Sequence, residues 1–331
     1  MHTKFKFAFT LFFISLYSFS QEGIPVYSDY LSDNYYLVFP SMAGAANCSK
    51  IRLTARKQWF DQADAPALQT LSYNGSVGDK SGIGAIVFND KNGYHSQFGF
   101  KGTYAHHLRF SRDEVDLNQL SFGVNVGFNQ SQLDQTEFKN SENYDPALGN
   151  SLENATYFNI DIGASYNFLD FSINGVVKNV LETRQTLYTE YESDNLRKFI
   201  VSGGYVFGNA DKILLEPSVL FQFVDKTKES SVDINLKAYK NLERSQIWGG
   251  VSYRKSFDGA QFSNGSGTNS QKLQYINPIL GFNYKNYMLA YSYTYLLGEI
   301  QYGNSGFHQI TLGINFLCKR EKYNCNCPAV N

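Results

Sequence analysis

No run of about 18 or more apolar residues occurs beyond the first twenty positions of this 331-residue chain, so no membrane-crossing helix is expected in it. Charge of one sign is missing too. Lys and Arg total 29 against 30 Asp and Glu, a net charge of −1, which gives no basic field for nucleic acid. Proline is scarce, with only 7 residues, whereas Tyr and Phe number 24 and 27 and aromatics reach 16%; this is the composition of a chain built mostly of strands.

The start of the chain reads as an export signal. Lys4 and Lys6 precede an apolar run from Phe7 to Leu16, and Ser18-Phe19-Ser20 supplies small residues at a cleavage site. Residues 1–20 are therefore expected to be a signal peptide, with the mature chain beginning at Gln21. No cysteine follows that cut, the first being Cys48, so no N-terminal lipid anchor is expected.

What dominates the remainder is alternation. In "HQITLGINF" Ile310, Leu312, Ile314 and Phe316 share one side of an extended chain, and Gln309, Thr311, Gly313 and Asn315 share the other. "LNQLSFGVNVGFN" sets Leu120, Phe122, Val124, Val126 and Phe128 against Ser121, Gly123, Asn125, Gly127 and Asn129. "YFNIDIGASYNF" and "YMLAYSYTY" repeat the pattern. Each run matches the roughly 9–11 tilted residues that cross a bilayer as a strand.

About fourteen such strands are expected, centred near residues 55, 71, 86, 102, 123, 163, 175, 203, 219, 236, 251, 278, 291 and 312. Their connections sort by parity. One set is short ("GDKS", "LD", "NAD", "NLER", "KN"), apart from "RFSRDEVD" at residues 109–116; the other holds polar stretches near residues 130–155, 182–197, 258–270 and 297–306. A soluble sandwich has no reason to segregate its loops in this way. A membrane barrel does, because each unpaired backbone group in hydrocarbon costs several kcal/mol, which closes the sheet and confines loops to the two ends. The expected fold is thus an all-β transmembrane antiparallel barrel over residues 49–316, with both termini periplasmic. Its apolar registers would face lipid and its Gly-, Ser- and Asn-rich registers the lumen.

Residues 21–48 precede the first strand and are rich in aromatics. They are expected either to plug the lumen or to bind a periplasmic partner. All four cysteines fall at the same end, Cys48 before the first strand and Cys318, Cys325 and Cys327 in a tail of residues 317–331. In an oxidising compartment Cys48 is expected to bond Cys318 or one of the tail pair. A zinc site is the lesser reading, because "CNC" lacks both the usual spacing and a second ligand pair. Chemistry of other kinds has little to stand on. The adjacent His106 and His107 point to opposite faces of a strand, "SNGSGTNS" is loop rather than phosphate cradle, and no nucleophile motif or cofactor motif is legible. No enzyme activity is expected.

Certain motifs in order resemble the PorP/SprF family of outer-membrane proteins of the Bacteroidetes type IX secretion system. The opening "PVYSDYLSDNYYLVFPSMAGA" carries Tyr27, Ser28, Tyr30, Pro40 and Gly44 of that pattern, although Val38-Phe39-Pro40-Ser41-Met42 stands where many members have Asn-Pro-Ala. Arg56, Gln58 and Trp59 with Ala65-Pro66 follow. Next come Pro217 and Ser218 in "EPSVLFQF", Tyr253 and Arg254 in "WGGVSYR", and Gly306 and His308 in "GFHQITLGINF", where Gln309 replaces a common Glu. The resemblance implies a non-enzymatic role without cofactors, exporting or retaining surface proteins that carry a type IX C-terminal domain, gliding adhesins among them. Partners implied are that secreted protein, other secretion subunits or peptidoglycan-associated proteins, and outer-membrane lipid, with no nucleic acid. The loops near residues 130–155 and 182–197 would make the contact. The small and polar lumen registers leave a passive or solute-selective porin as the other expectation.

Overall fold

Alternation of apolar and polar side chains at a period of two makes each segment a strand with two unlike faces, and the backbone hydrogen bonds must then be met by neighbouring strands. The computed structural model describes residues 34–58, 65–111, 116–136, 152–184, 187, 195–263, 268–297, 306–319, 323–327 and 329–330. Its strands are β1 (Ser49–Gln58), β2 (Ala67–Val77), β3 (Ser81–Asn92), β4 (His95–Arg109), β5 (Asn118–Asp134), β6 (Leu152–Phe168), β7 (Phe171–Lys178), β8 (Lys198–Tyr205), β9 (Phe207–Asn209), β10 (Ile213–Val224), β11 (Ser230–Asn241), β12 (Ser245–Ser263), β13 (Thr268–Tyr284), β14 (Tyr287–Leu297) and β15 (Gly306–Phe316).

Every neighbouring pair is antiparallel. Strand β15 returns to β1 along its whole length, from Ser49 opposite Phe316 to Gln58 opposite Phe307, and this seam closes the sheet. The short β9 continues β8 after a break at Val206, and both pair with β10. The result is a closed antiparallel barrel of fourteen staves, with two 3-10 turns, Tyr35–Leu37 and Pro40–Met42, ahead of it.

The break has a local cause. Extrapolating the register puts Tyr205 and Val206 beside Pro217 and Glu216, and proline has no N–H to give the ladder. Pro278 does the same on β13. The pairing with β14 runs to Ile276 opposite Tyr295, lapses, and resumes at Ile279 opposite Ser292, while Pro278 keeps its place opposite Val251 on the other side.

The barrel is inside-out relative to a water-soluble core. On β15, Ile310, Leu312 and Ile314 are 44–49% exposed on the outer surface, whereas Gln309 and Thr311 are 3% and 1% exposed on the inner one. The same division holds for β5, where Phe122, Val124, Val126 and Phe128 face out and Gln119, Ser121 and Asn125 are buried inside.

Two polar stretches expected to be loops are partly strand. The pairing of β5 with β6 runs on to Asp134 opposite Leu152, so the connection is 135–151 rather than 130–155. Strands β12 and β13 pair as far as Ser263 opposite Thr268, across an irregularity between Lys255 and Gly259, inside the expected loop 258–270. Beyond the apolar band side chains no longer need to alternate, but the backbone ladder continues to satisfy itself, so periodicity fades before the strand does. Of the other expected loops, 298–305 and most of 185–194 lie outside the described residues.

Candidate functional site

The candidate site is the lumen and its contents. Residues 34–47 run inside the barrel and are almost wholly buried, with Phe39 and Ala43 at 0% exposure. Their polar groups meet inward-facing partners on many staves. Asn34 Nδ2 donates to Ser72 Oγ at 2.7 Å, Tyr36 Oη and Thr103 Oγ1 are 2.6 Å apart, and Ser41 Oγ and Ser165 Oγ are 2.6 Å apart. Tyr35 Oη donates to Glu216 Oε1 at 3.0 Å, and the other oxygen of that carboxylate accepts from Tyr239. Because the carbonyl of Ala43 can only accept, His107 Nε2 at 3.0 Å carries the proton, and Nδ1 accepts from Ser121 Oγ at 2.8 Å.

Apolar contact supplies the rest. Val38, Phe39, Met42 and Ala45 pack on Val176, Ile200 and Leu220, which are inward-facing members of β7, β8 and β10. A second cluster joins Tyr36, Leu37 and Ala43 to Ile86 and Ala105. Close approach requires glycines in the wall. A Cβ on Gly123 would collide with the backbone of Pro40 and Ser41, and one on Gly163 would press on the Pro40 ring at 3.1 Å. Gly44 itself has φ +67° and sits against Gly75 and Gly82, so both its conformation and its surroundings demand glycine.

The charged groups of the wall are paired across it. Lys101 Nζ lies 2.7 Å from Asp161 Oδ2, and Arg254 holds Asp233 with two bonds of 2.6 and 2.7 Å. Lys237 stands over the Trp248 ring at 3.8 Å, and Arg56 over Phe307 at 4.0 Å.

At the end that carries Cys48 and Cys318, the C-terminal tail folds across the mouth. Lys319 N donates to Asn47 O at 3.1 Å, Asn47 N to Val330 O at 2.7 Å, and Asn326 N to Asp170 Oδ1 at 2.7 Å. Leu117, Cys327 and Val330 form a buried cluster there. Arg109 Nη2 donates to Tyr323 Oη at 3.0 Å, while burial raises the Tyr323 phenol above its ordinary range. Cys48 is bridged to Cys318, S–S 2.03 Å, and Cys325 is paired with Cys327, leaving no free thiol.

The motif residues scatter over these features instead of converging. Pro40 and Gly44 belong to the inner segment. Arg56 and Arg254 line the lumen, and Tyr253 on the outer face donates to Gln274 at 2.8 Å. Gln58 N is bonded to Pro66 O at 2.9 Å beside the β1–β2 connection. Pro217 marks the ladder break, next to the inward-facing Ser218. Gly306 lies under the Tyr293 ring, and His308 Nδ1 is 2.7 Å from Tyr291 Oη. Tyr27, Ser28, Tyr30 and Trp59 lie outside the described residues. Sequence reading missed the inner apolar patch of Val176, Ile200 and Leu220. The one signal for it was large aliphatic side chains standing on registers otherwise polar.

The family model described as type IX secretion system membrane protein PorP/SprF matches residues 19–314. The chain belongs to that family. No curated protein matches it. Among solved structures, this PorP/SprF chain is similar to the TodX monoaromatic hydrocarbon channel deltaS2 mutant, at 9% identity and a TM-score of 0.50 over 85% of this chain and 93% of that one. It is also similar to a Pseudomonas aeruginosa FadL homologue, at 9% identity and a TM-score of 0.45 over 81% and 90%. A third is Salmonella typhi OmpF, at 11% identity and a TM-score of 0.39 over 81% and 97%. These likenesses concern the fold alone. The protein is a PorP/SprF membrane component of type IX secretion, built as a β-barrel of the outer-membrane kind.

Proposed function

We propose that this PorP/SprF protein is a non-enzymatic outer-membrane subunit that binds or anchors a secreted surface protein with a type IX C-terminal domain, for example a gliding adhesin. Both termini lie in the periplasm, where the N-terminal segment and the tail are within reach of other secretion subunits or peptidoglycan-associated proteins. The long β5–β6 and β7–β8 connections at the opposite end hold the secreted protein. The observation that carries this reading is the occupied lumen. A segment pinned by five hydrogen bonds to side chains on four staves, with its aromatic core buried, supports a rigid anchor over a solute conduit.

Two measurements test it. Deleting the gene is expected to remove at least one C-terminal-domain protein from the cell surface, and unchanged display of all of them would end the proposal. In planar bilayers the purified protein is expected to be electrically silent, whereas sustained large conductance would favour a porin.

A further inference from the structure

The two bridges at the tail end of the barrel are unlike in kind. Cys48 and Cys318 are joined across 270 residues, and their neighbours hold them together without the bond: Ser49 is paired opposite Phe316, and Lys319 N donates to Asn47 O at 3.1 Å. Cys325 and Cys327 stand only 2 apart, in a stretch of residues 323–327 that belongs to no strand. A ring closed around one residue, Asn326, removes little freedom from an unfolded chain, so it adds little stability. What it fixes is the local shape of the tail, and the tail is anchored through that shape. Asn326 N donates to Asp170 Oδ1 at 2.7 Å, Cys327 is buried with Leu117 and Val330, and Cys327 O accepts from Val330 N at 3.0 Å. Val330 O in turn accepts from Asn47 N, at the foot of the inner segment.

Access does not separate the two bridges, since Cys318 is exposed and Cys325 is only partly buried. Reclosure does. When Cys318 is attacked, the paired seam keeps the expelled Cys48 thiolate beside the mixed disulfide, and displacement within the molecule restores the bridge. When Cys325 is attacked, no ladder holds Cys327 against it. Arg109, bonded to Tyr323, and Lys50, whose Nζ donates to Ala329 O at 3.2 Å, bring two cations to the cluster around Cys327, which favours the thiolate that leaves. We infer that Cys325–Cys327 is a redox-active disulfide that exchanges with a dithiol reductant of the thioredoxin class, and that its opening frees the tail from the barrel mouth while Cys48–Cys318 stays closed. A thiolate of the reductant bonds to Cys325 Sγ, and the S–S bond breaks with its electron pair on Cys327 Sγ, which takes a proton. The second thiol of the reductant then displaces Cys325, so two electrons and two protons pass to the tail pair and the reductant ends as a disulfide. The inference rests on the contacts of the tail and not on any secreted partner.

Full-length protein in detergent, equilibrated with graded dithiothreitol, trapped by alkylation and mapped by peptide mass spectrometry, tests it. Cys325 and Cys327 are expected to be alkylated at a dithiothreitol concentration roughly tenfold below that needed for Cys48 and Cys318, with proteolysis of residues 317–331 rising over the same range. A thioredoxin lacking its second cysteine is expected to be trapped on Cys325. C325S/C327S should show the fast-cleaved tail without reductant, and D170A should loosen the tail while all four cysteines stay oxidised. Heat-modifiable gel migration establishes that each variant is folded. Reduction of both bridges together, earlier loss of Cys48–Cys318, or a tail equally protected once Cys325–Cys327 is open would overturn the assignment. Surface display plays no part in this readout, so failure here and failure of the anchoring role are separable.

Discussion

At the scale of single residues, the inner surface is shaped by side chains that are absent. Gly123 and Gly163 bring the backbone of β5 and β6 against Pro40, and Gly82 does the same for Ala43 and Gly44. Overpacking such a contact typically costs about 1–3 kcal/mol. Gly123→Val is therefore expected to push residues 39–42 off the wall without unfolding the barrel, because the outward register of β5 is untouched. The expected signs are faster proteolysis within residues 34–47 and a bilayer conductance above that of the unaltered protein. An unchanged cleavage rate would count against the packing described.

At the scale of elements, each stave carries its own instruction, and most of it was legible in advance. All fourteen expected strand centres fall within strands, because a lipid-facing stave must alternate strictly across the band. Leu312→Lys puts a charge at the middle of the outer face and is expected to cost about 2–4 kcal/mol of folding stability, measured by denaturant titration in bilayers, whereas Leu312→Val should cost far less. Where alternation was not required, the reading fell short. The outer ends of β5, β6, β12 and β13 pair through polar sequence that resembled loop. Residues 34–47 have neither period two nor period 3.6, so nothing in their order revealed that Phe39 would seat on Val176, Ile200 and Leu220. Pro217 and Pro278 fall inside the strands expected near residues 219 and 278, with no break expected at either. Only the registers on either side show that each proline silences one ladder and spares the other.

At the scale of the whole molecule, three parts meet at one end: the foot of the inner segment at Asn47, the β1–β15 seam, and the tail that reaches back to Asn47 through Val330. The bridge from Cys48 to Cys318 joins all three across a separation of 270 residues. Removing it with C48S/C318S is expected to lower stability by about 2–4 kcal/mol and to raise the protease sensitivity of the tail, while the staves remain paired. Intact stability and an equally protected tail would show the bridge to be idle.

That bridge also makes the staves a covalent hoop. A protease that nicks any one loop between β1 and β15 leaves a single species on a non-reducing gel, and two fragments part only once a thiol is added. Damage at the long-loop end thus need not shed half the protein, and a single cut in any one of those loops does not take the hoop apart.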